Sequence, residues 1–139
     1  MADRLQFELV SPERLLISRE VGMVVVPGAE GDFGVLPDHA PLISTVRPGV
    51  IDVYDDGATV SDRIFVSGGF AEVTGERCTV LAEQATPIKD IDRAKTQAEL
   101  EQLQRDLAHA GDDVARERIA AGIEAAEAKL EAAAGSDRR

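Results

Sequence analysis

The sequence changes character near residue 89, and this change constrains the fold more than any single motif. All six prolines and all five aromatic residues lie before this point. The remaining residues contain 13 alanines, frequent glutamate and no proline. Proline interrupts helices, whereas alanine has the highest helix propensity. The change therefore predicts two architectures in one chain, a strand-rich domain at residues 1–89 and a helical domain at residues 90–139.

The first part of the chain has the pattern of short strands separated by turns. Leu5, Phe7 and Leu9 alternate with polar residues, which is the period of a half-buried strand. A β-branched run at residues 21–26 ends at Pro27, and Asp55-Asp56-Gly57 is a hairpin turn signal. This spacing predicts an antiparallel β-sandwich or barrel. Further strands are predicted at residues 15–17, 42–46, 50–54, 64–66, 70–73 and 79–81.

The second part has the pattern of two helices joined by a short turn. Asp90 or Asp92 can cap the first helix, because a carboxylate accepts the free N–H groups at a helix start. Gly111 suits the end of that helix, and Asp112 begins the next. Apolar stripes are predicted on the two helices, at Leu100, Leu103 and Leu107 on the first and at Ile119, Ile123, Ala126 and Leu130 on the second.

The composition excludes several classes of function. A formal net charge of −11 argues against nucleic-acid binding, which requires a face of Lys and Arg. No apolar run approaches the roughly 20 residues that span a bilayer. The single cysteine, Cys78, rules out an internal disulfide and fits a small apolar position in a strand, in reducing surroundings.

No pattern of catalytic or cofactor-binding residues is present. His39 and His109 are the only histidines, too few for a metal-binding barrel. The glycines at 28, 31 and 34 lack the lysine and spacing of a phosphate loop, so they predict a tight loop between strands. We therefore expect no catalytic residue, no cofactor and no metal. A small-ligand module or an unrecognised enzyme would need a polar-lined pocket, for which no convergent residues are found.

Residues 31–41 hold two glycines, two prolines and His39 within eleven positions. Glycine permits positive φ and proline fixes φ, so the backbone path of this segment is tightly specified. We expect this segment to present part of the functional surface.

These residues belong to a set of motifs that resembles the epsilon subunit family of bacterial F-type ATP synthase, called delta in mitochondria. The most specific string is Gly-x-x-Gly-x-x-Pro-x-His-Ala-Pro-Leu at residues 31–42, followed by Ser-Gly-Gly at residues 67–69. The matching pieces occur in the family's order, at residues 7–12, 27–34, 37–42, 47–49, 66–73, 79–82 and 90–92.

The resemblance implies a ten-stranded antiparallel β-sandwich followed by an αα-hairpin, an α+β chain. It implies a non-catalytic rotor subunit of the central stalk, peripheral at the cytoplasmic face of the bacterial inner membrane and membrane-associated only through the complex. The implied partners are the gamma subunit, the loops of the c-ring and, through the hairpin, the catalytic alpha and beta subunits. The residues carried over for the c-ring and gamma contacts are Gly28, Glu30, Gly31, Asp32 and His39.

The resemblance also leaves a second interpretation open, in which the helical hairpin mainly senses ATP or inhibits ATP hydrolysis. The family's ATP-binding pattern is Ile/Leu-Asp-x-x-Arg-Ala, and here Lys95 and Thr96 stand at its last two positions. Lysine lacks the planar fork of arginine for phosphate. Residues 112–135 carry three basic and six acidic side chains, which disfavours docking on acidic catalytic subunits. We expect weak or no inhibition.

Overall fold

The computed structural model describes residues 4–56 and 58–136. Gly57 of the predicted turn and the outermost residues of the two predicted domains, 1–3 and 137–139, lie outside the described residues. The chain divides into two compact units that meet between Pro87 and Ile88, where the sequence predicts a boundary between residues 89 and 90. The first unit is built of strands and the second of helices.

Ten strands are found in the described part of the first unit. They are β1 (Leu5–Ser11), β2 (Arg14–Val21), β3 (Met23–Gly28), β4 (Gly31–Val35), β5 (Leu42–Val46), β6 (Gly49–Asp56), β7 (Thr59–Val66), β8 (Gly69–Val73), β9 (Arg77–Ala82) and β10 (Ala85–Pro87).

The strands join in the order β10-β7-β6-β3-β5-β8-β9-β1-β2, and β4 pairs with β3 beside this path. Among the described strands, the pairing is antiparallel except between β1 and β9, which run parallel. The predicted ten-stranded β-sandwich is confirmed.

The core of the first unit is built from alternate residues of the strands. Leu5, Phe7 and Leu9 are fully buried, as their alternation predicts. Because aromatic residues are scarce, valine supplies much of the remaining core. Cys78 lies in this cluster on β9, which confirms its predicted place in a strand.

The prediction of one strand over residues 21–26 is wrong. β2 ends at Val21 and β3 begins at Met23, with a bend at Gly22 between them. The N–H of Gly22 donates to the carbonyl oxygen of Tyr54 at 2.8 Å, and a Cβ at this position would lie 3.1 Å from the carbonyl oxygen of Asp55. The chain therefore turns where a glycine lets it approach β6 closely.

Two strands are absent from the sequence prediction. β4 lies in the glycine-rich segment that predicts a loop, and β10 is three residues long. β4 forms because its five residues pair in register with β3, from Gly31 opposite Gly28 to Val35 opposite Val24. Glycine lowers the intrinsic strand propensity, so tertiary pairing decides this segment.

The second unit is an αα-hairpin, as predicted. A short 3₁₀ helix at Ile88–Asp90 precedes α1 (Arg93–Ala108) and α2 (Asp113–Ser136). The Asp92 carboxylate caps α1 by accepting the N–H of Lys95 at 3.0 Å. Asp112 does the same for α2, accepting the N–H of Ala115 at 2.7 Å.

The helices pack in opposite directions along the hairpin. Arg93 at the start of α1 donates from Nη2 to the carbonyl oxygen of Ala133 near the end of α2, at 2.7 Å. Leu103 faces Gly122, because a Cβ there would lie 3.4 Å from the leucine methyl groups. Among the described helices, none is long and apolar enough to span a membrane.

Gly69 gives a test of the sheet geometry. It adopts φ of +147°, and a Cβ at this position would lie 1.9 Å from the carbonyl oxygen of Leu81. We expect Gly69→Ala to lower the free energy of unfolding by about 3 kcal/mol or more, because both strain and a backbone clash are introduced. Urea unfolding measures this change. Gly111→Ala is the control, since a Cβ there meets nothing within 4 Å, and its effect should stay below about 1 kcal/mol.

The thiol of Cys78 gives a second test. Burial raises its pKa from 9.0 to about 12. The folded chain therefore disfavours the thiolate, so we expect no labelling by a thiol reagent at about pH 8 until the chain unfolds. With the pKa raised on folding, the contribution to stability is complete below the unfolded pKa of 9.0 and is lost as the pH rises towards 12. Cys78→Ala should remove this part of the alkaline decline, and rapid labelling of the folded chain would contradict the assignment.

Candidate functional site

The β3–β4 hairpin brings four of the five predicted partner-binding residues together. Gly28 and Gly31 are register partners, and the two residues between them, Ala29 and Glu30, form the turn. Gly31 has φ of +138°, and a Cβ on Gly28 would lie 2.8 Å from the Gly31 carbonyl oxygen. Both positions therefore require glycine, which explains the spacing seen in the sequence. We call residues 28–32 the hairpin tip.

Arg47 anchors the hairpin tip from the adjoining part of the chain. Its Nη2 lies 2.6 Å from Oδ1 of Asp32, and its Nη1 donates to the carbonyl oxygen of Gly28 at 2.5 Å. Its backbone N–H also donates to the carbonyl oxygen of Pro27 at 2.9 Å. Asp32 is thus ion-paired within the chain, and Glu30 is an exposed carboxylate with no ion pair among the described residues.

His39 lies apart from the tip along the chain, in the loop that joins β4 to β5. Its Nδ1 lies 2.6 Å from the carbonyl oxygen of Ala40, and its backbone N–H donates to the carbonyl oxygen of Leu36 at 3.1 Å. The preceding Asp38 has φ of +68° and its N–H donates to Gly75 in the β8–β9 turn. These bonds hold the loop in place, and they give His39 a position on a different element from the other four residues.

An open groove of about 480 Å³ lies between the hairpin tip and β5. One wall is formed by residues 28–33 and the other by residues 42–45. Ile43 is 74% exposed beside this groove, and Glu30 and Asp32 contribute the acidic side chains of its lining.

A row of apolar side chains crosses the outer surface of five strands. Cross-strand pairs join Thr45 to Phe70, Phe70 to Leu81, Leu81 to Val10, and Val10 to Leu15. Directly opposed residues on neighbouring strands point to the same face of a sheet. Phe70, Leu81 and Leu15 are each more than half exposed. Ile43 lies two residues before Thr45 on β5 and therefore on the same face. We call the group Val10, Leu15, Ile43, Phe70 and Leu81 the outer-face patch.

The outer-face patch is absent from the predictions made from the sequence. The sequence does contain a signal for it, because residues 69–71 and 80–82 are apolar without the alternating polar residues of a half-buried strand. A strand with apolar residues at every position has two apolar faces. One face packs on the core, and the other is an exposed apolar surface of the kind that binds a partner.

The patch and the tip carry no arrangement of residues that suggests catalysis. In residues 4–56 and 58–136, no group of three or more His, Cys, Asp or Glu side chains is placed to hold a metal ion.

In the segment compared with the ATP-binding pattern, the Asp92 carboxylate caps α1 and Lys95 is exposed. Thr96 is buried, and its hydroxyl donates to the carbonyl oxygen of Asp92 at 2.9 Å.

The strand unit matches a known protein family. The family described as "ATP synthase, Delta/Epsilon chain, beta-sandwich domain" matches residues 4–88. The chain is 56% identical over 135 residues to the ATP synthase epsilon chain of Rhodospirillum centenum, covering 94% of this chain and 92% of that protein. It is 51% identical over 135 residues to the epsilon chain of Rhodospirillum rubrum, covering 97% and 100%.

Solved structures show the same fold. The chain superposes on a chain of the Euglena gracilis mitochondrial ATP synthase, a structure of OSCP, F1 and the c-ring, with a TM-score of 0.78 and 26% identity. That match covers 96% of this chain and 83% of the other. A chain of the Tetrahymena thermophila central stalk and c-ring structure shares the fold at a TM-score of 0.62 and 13% identity, covering 95% of each chain.

Proposed function

Because the chain belongs to the delta/epsilon family of ATP synthase subunits, we propose that it is the epsilon subunit of a proton-translocating F-type ATP synthase. In this role it is a non-catalytic rotor subunit of the central stalk, which links gamma to the c-ring and so couples proton flow to ATP synthesis. The observation that carries the proposal is that one sandwich presents two candidate contact surfaces of different chemistry, the apolar outer-face patch and the hairpin tip with its exposed carboxylate. A subunit between two partners needs two such surfaces.

The outer-face patch supports the contact with gamma. Its exposed leucine, isoleucine and phenylalanine side chains span the width of five strands, about 19 Å at the usual strand spacing. Burying such a surface in a complex removes apolar area from water, which is the main driving force of stable association. Glu72 on β8 and Glu83 directly after β9 are both exposed near this patch, so a partner with basic residues at the rim of its interface fits best.

The hairpin tip supports the contact with the polar loops of the c-ring. Glu30 projects an exposed carboxylate from the turn, and an arginine on a ring loop can bind it with charge-assisted hydrogen bonds. Asp32 already pairs with Arg47. We therefore assign direct recognition to Glu30 and give Asp32 the role of keeping the tip in shape, with Gly28 and Gly31 fixing its turn. His39 lies on the adjoining loop and is proposed to border both partners.

This role makes the chain a peripheral protein of the cytoplasmic face of the membrane, held there by its partners. The chemistry of ATP formation is then left to other subunits.

The gamma contact is tested with a charge placed in the patch. Leu81 is 53% exposed, so Leu81→Glu leaves the core intact, but in a complex it buries an unpaired carboxylate. We expect the affinity of the full chain for purified gamma, measured by calorimetry, to fall at least about tenfold. Val60→Glu is the matched control, since Val60 lies on β7 outside the patch and is 36% exposed.

Two outcomes would contradict this part of the proposal in different ways. If the wild-type chain fails to co-purify with gamma under conditions that keep the enzyme intact, the rotor role is wrong. If the wild-type chain binds and Leu81→Glu binds equally well, the rotor role stands and gamma occupies another face.

The helical hairpin is proposed to be a weak regulator. Residues 112–135 carry a net charge of −3, from three basic and six acidic side chains, so an acidic surface on the catalytic subunits repels them. We expect removal of residues 90–139 to raise ATP hydrolysis by the assembled enzyme less than about twofold. Co-purification of the shortened chain with gamma is the control for folding, and a large rise in hydrolysis would refute the prediction.

A further inference from the structure

Several strand edges stay open among the described residues, and those of β2, β10 and β4 carry protection. β2 carries Arg14, Arg19 and Glu20, β10 has three residues and ends at Pro87, and β4 contains Asp32. Charges, proline and shortness are the usual means by which proteins keep an open edge from pairing. β5, with the sequence Leu-Ile-Ser-Thr-Val, has no charge, no proline and no bulge in its pairing with β8.

One hydrogen bond shows which backbone groups of β5 point to its open side. The carbonyl oxygen of Thr45 accepts the N–H of Ala29 at 2.9 Å, so it points away from β8. In an antiparallel pair, residues alternate between bonding to the partner strand and facing the other side. Ile43, two residues before Thr45, therefore also directs its N–H and carbonyl groups away from β8. The described pairing between β3 and β5 is limited to Gly28 opposite Val46, so no described strand pairs with Ile43 on the side away from β8.

These backbone groups open into the groove beside the hairpin tip. Thr45 and Ile43 line one wall and Glu30 lines the other. The Ile43 side chain, 74% exposed, belongs to the outer-face patch. The groove thus combines free backbone donors and acceptors, an apolar side chain and an exposed carboxylate, and it continues directly into the surface proposed for gamma.

We propose that the β5 edge at Ile43 binds an extended segment of the gamma subunit by β-strand addition. The segment pairs its backbone with the N–H and carbonyl of Ile43 and packs a small apolar residue beside the Ile43 side chain. Strand addition gives affinity through backbone bonds and specificity through the neighbouring side chains. The identity of the partner rests on the proposed function, whereas the pairing mode rests on the edge itself.

The test removes the outward N–H and leaves the fold in place. Proline is tolerated on strand edges where its missing N–H faces away from the sheet. We expect Ile43→Pro to leave the urea midpoint of the free full-length chain close to wild type and to weaken its binding to purified gamma about tenfold. Ile43→Ala is the matched variant, because it keeps the N–H and loses more of the side chain than proline does. It should bind gamma more tightly than Ile43→Pro, and equal affinities of the two variants would overturn the inference.

Ser44→Pro checks the orientation of the strand. Ser44 alternates with Ile43, so its N–H bonds to β8 opposite Ala71. We expect this variant to lose much of its stability, while Ile43→Pro keeps it. If the two prolines destabilise the chain equally, the assigned direction of the Ile43 groups is wrong and the inference falls.

Amide exchange of the wild-type chain gives a second measurement that needs no variant. We expect the Ile43 amide to exchange quickly in the free chain and at least about tenfold more slowly in the complex with gamma. An unchanged rate in a formed complex, or normal gamma binding by a folded Ile43→Pro variant, overturns the strand-addition inference and leaves the proposed function intact. Failure of the wild-type chain to bind gamma at all would instead overturn the proposed function.

Discussion

The two halves of the sheet share one apolar core, and a single register pair joins them. Gly28 of β3 faces Val46 of β5, and this pair alone joins the β10-β7-β6-β3 half to the β5-β8-β9-β1-β2 half among the described strands. Two backbone bonds flank it, from Ala29 to Thr45 and from Arg47 to Pro27, both at 2.9 Å. One pair is enough because the two halves share one apolar core, which resists their separation far more than hydrogen bonds can.

The same junction determines the shape of the hairpin tip. Arg47 follows Val46 directly, so its guanidinium group reaches the Gly28 carbonyl and the Asp32 carboxylate. Elsewhere, Arg19 on β2 pairs with Asp55 and Asp62, which ties the far edge of the sheet to β6 and β7. Such exposed pairs contribute little stability individually. Their value here is geometric, because each links strands that no backbone ladder connects.

The sequence predicts the regular parts of this fold well and its junctions poorly. The alternation at Leu5, Phe7 and Leu9 and the Asp92 cap are local signals, and both are found in the structure. The glycines of β4 predict a loop on local grounds, whereas pairing with β3 makes the segment a strand. The ion pair of Asp32 with Arg47 joins residues 15 positions apart, so it leaves no signal within one segment. The outer-face patch joins side chains from five strands, and the sequence signals only part of it, through the unbroken apolar residues at 69–71 and 80–82.

A rotor subunit has to transmit torque between partners, and β5 lies where the two proposed contact surfaces meet. Its Val46 side chain belongs to the core, its Ile43 side chain to the outer-face patch, and its backbone edge to the groove beside the hairpin tip. In the proposed assembly, a force on the tip would pass through the Gly28–Val46 junction and Arg47 into the same strand that presents the apolar face. Because packed cores are stiff, short paths of this kind carry displacement with little loss. In the proposed assembly, covering the open edge of β5 with a partner strand would stiffen this path further, since each added backbone bond fixes the strand that joins the two contact surfaces.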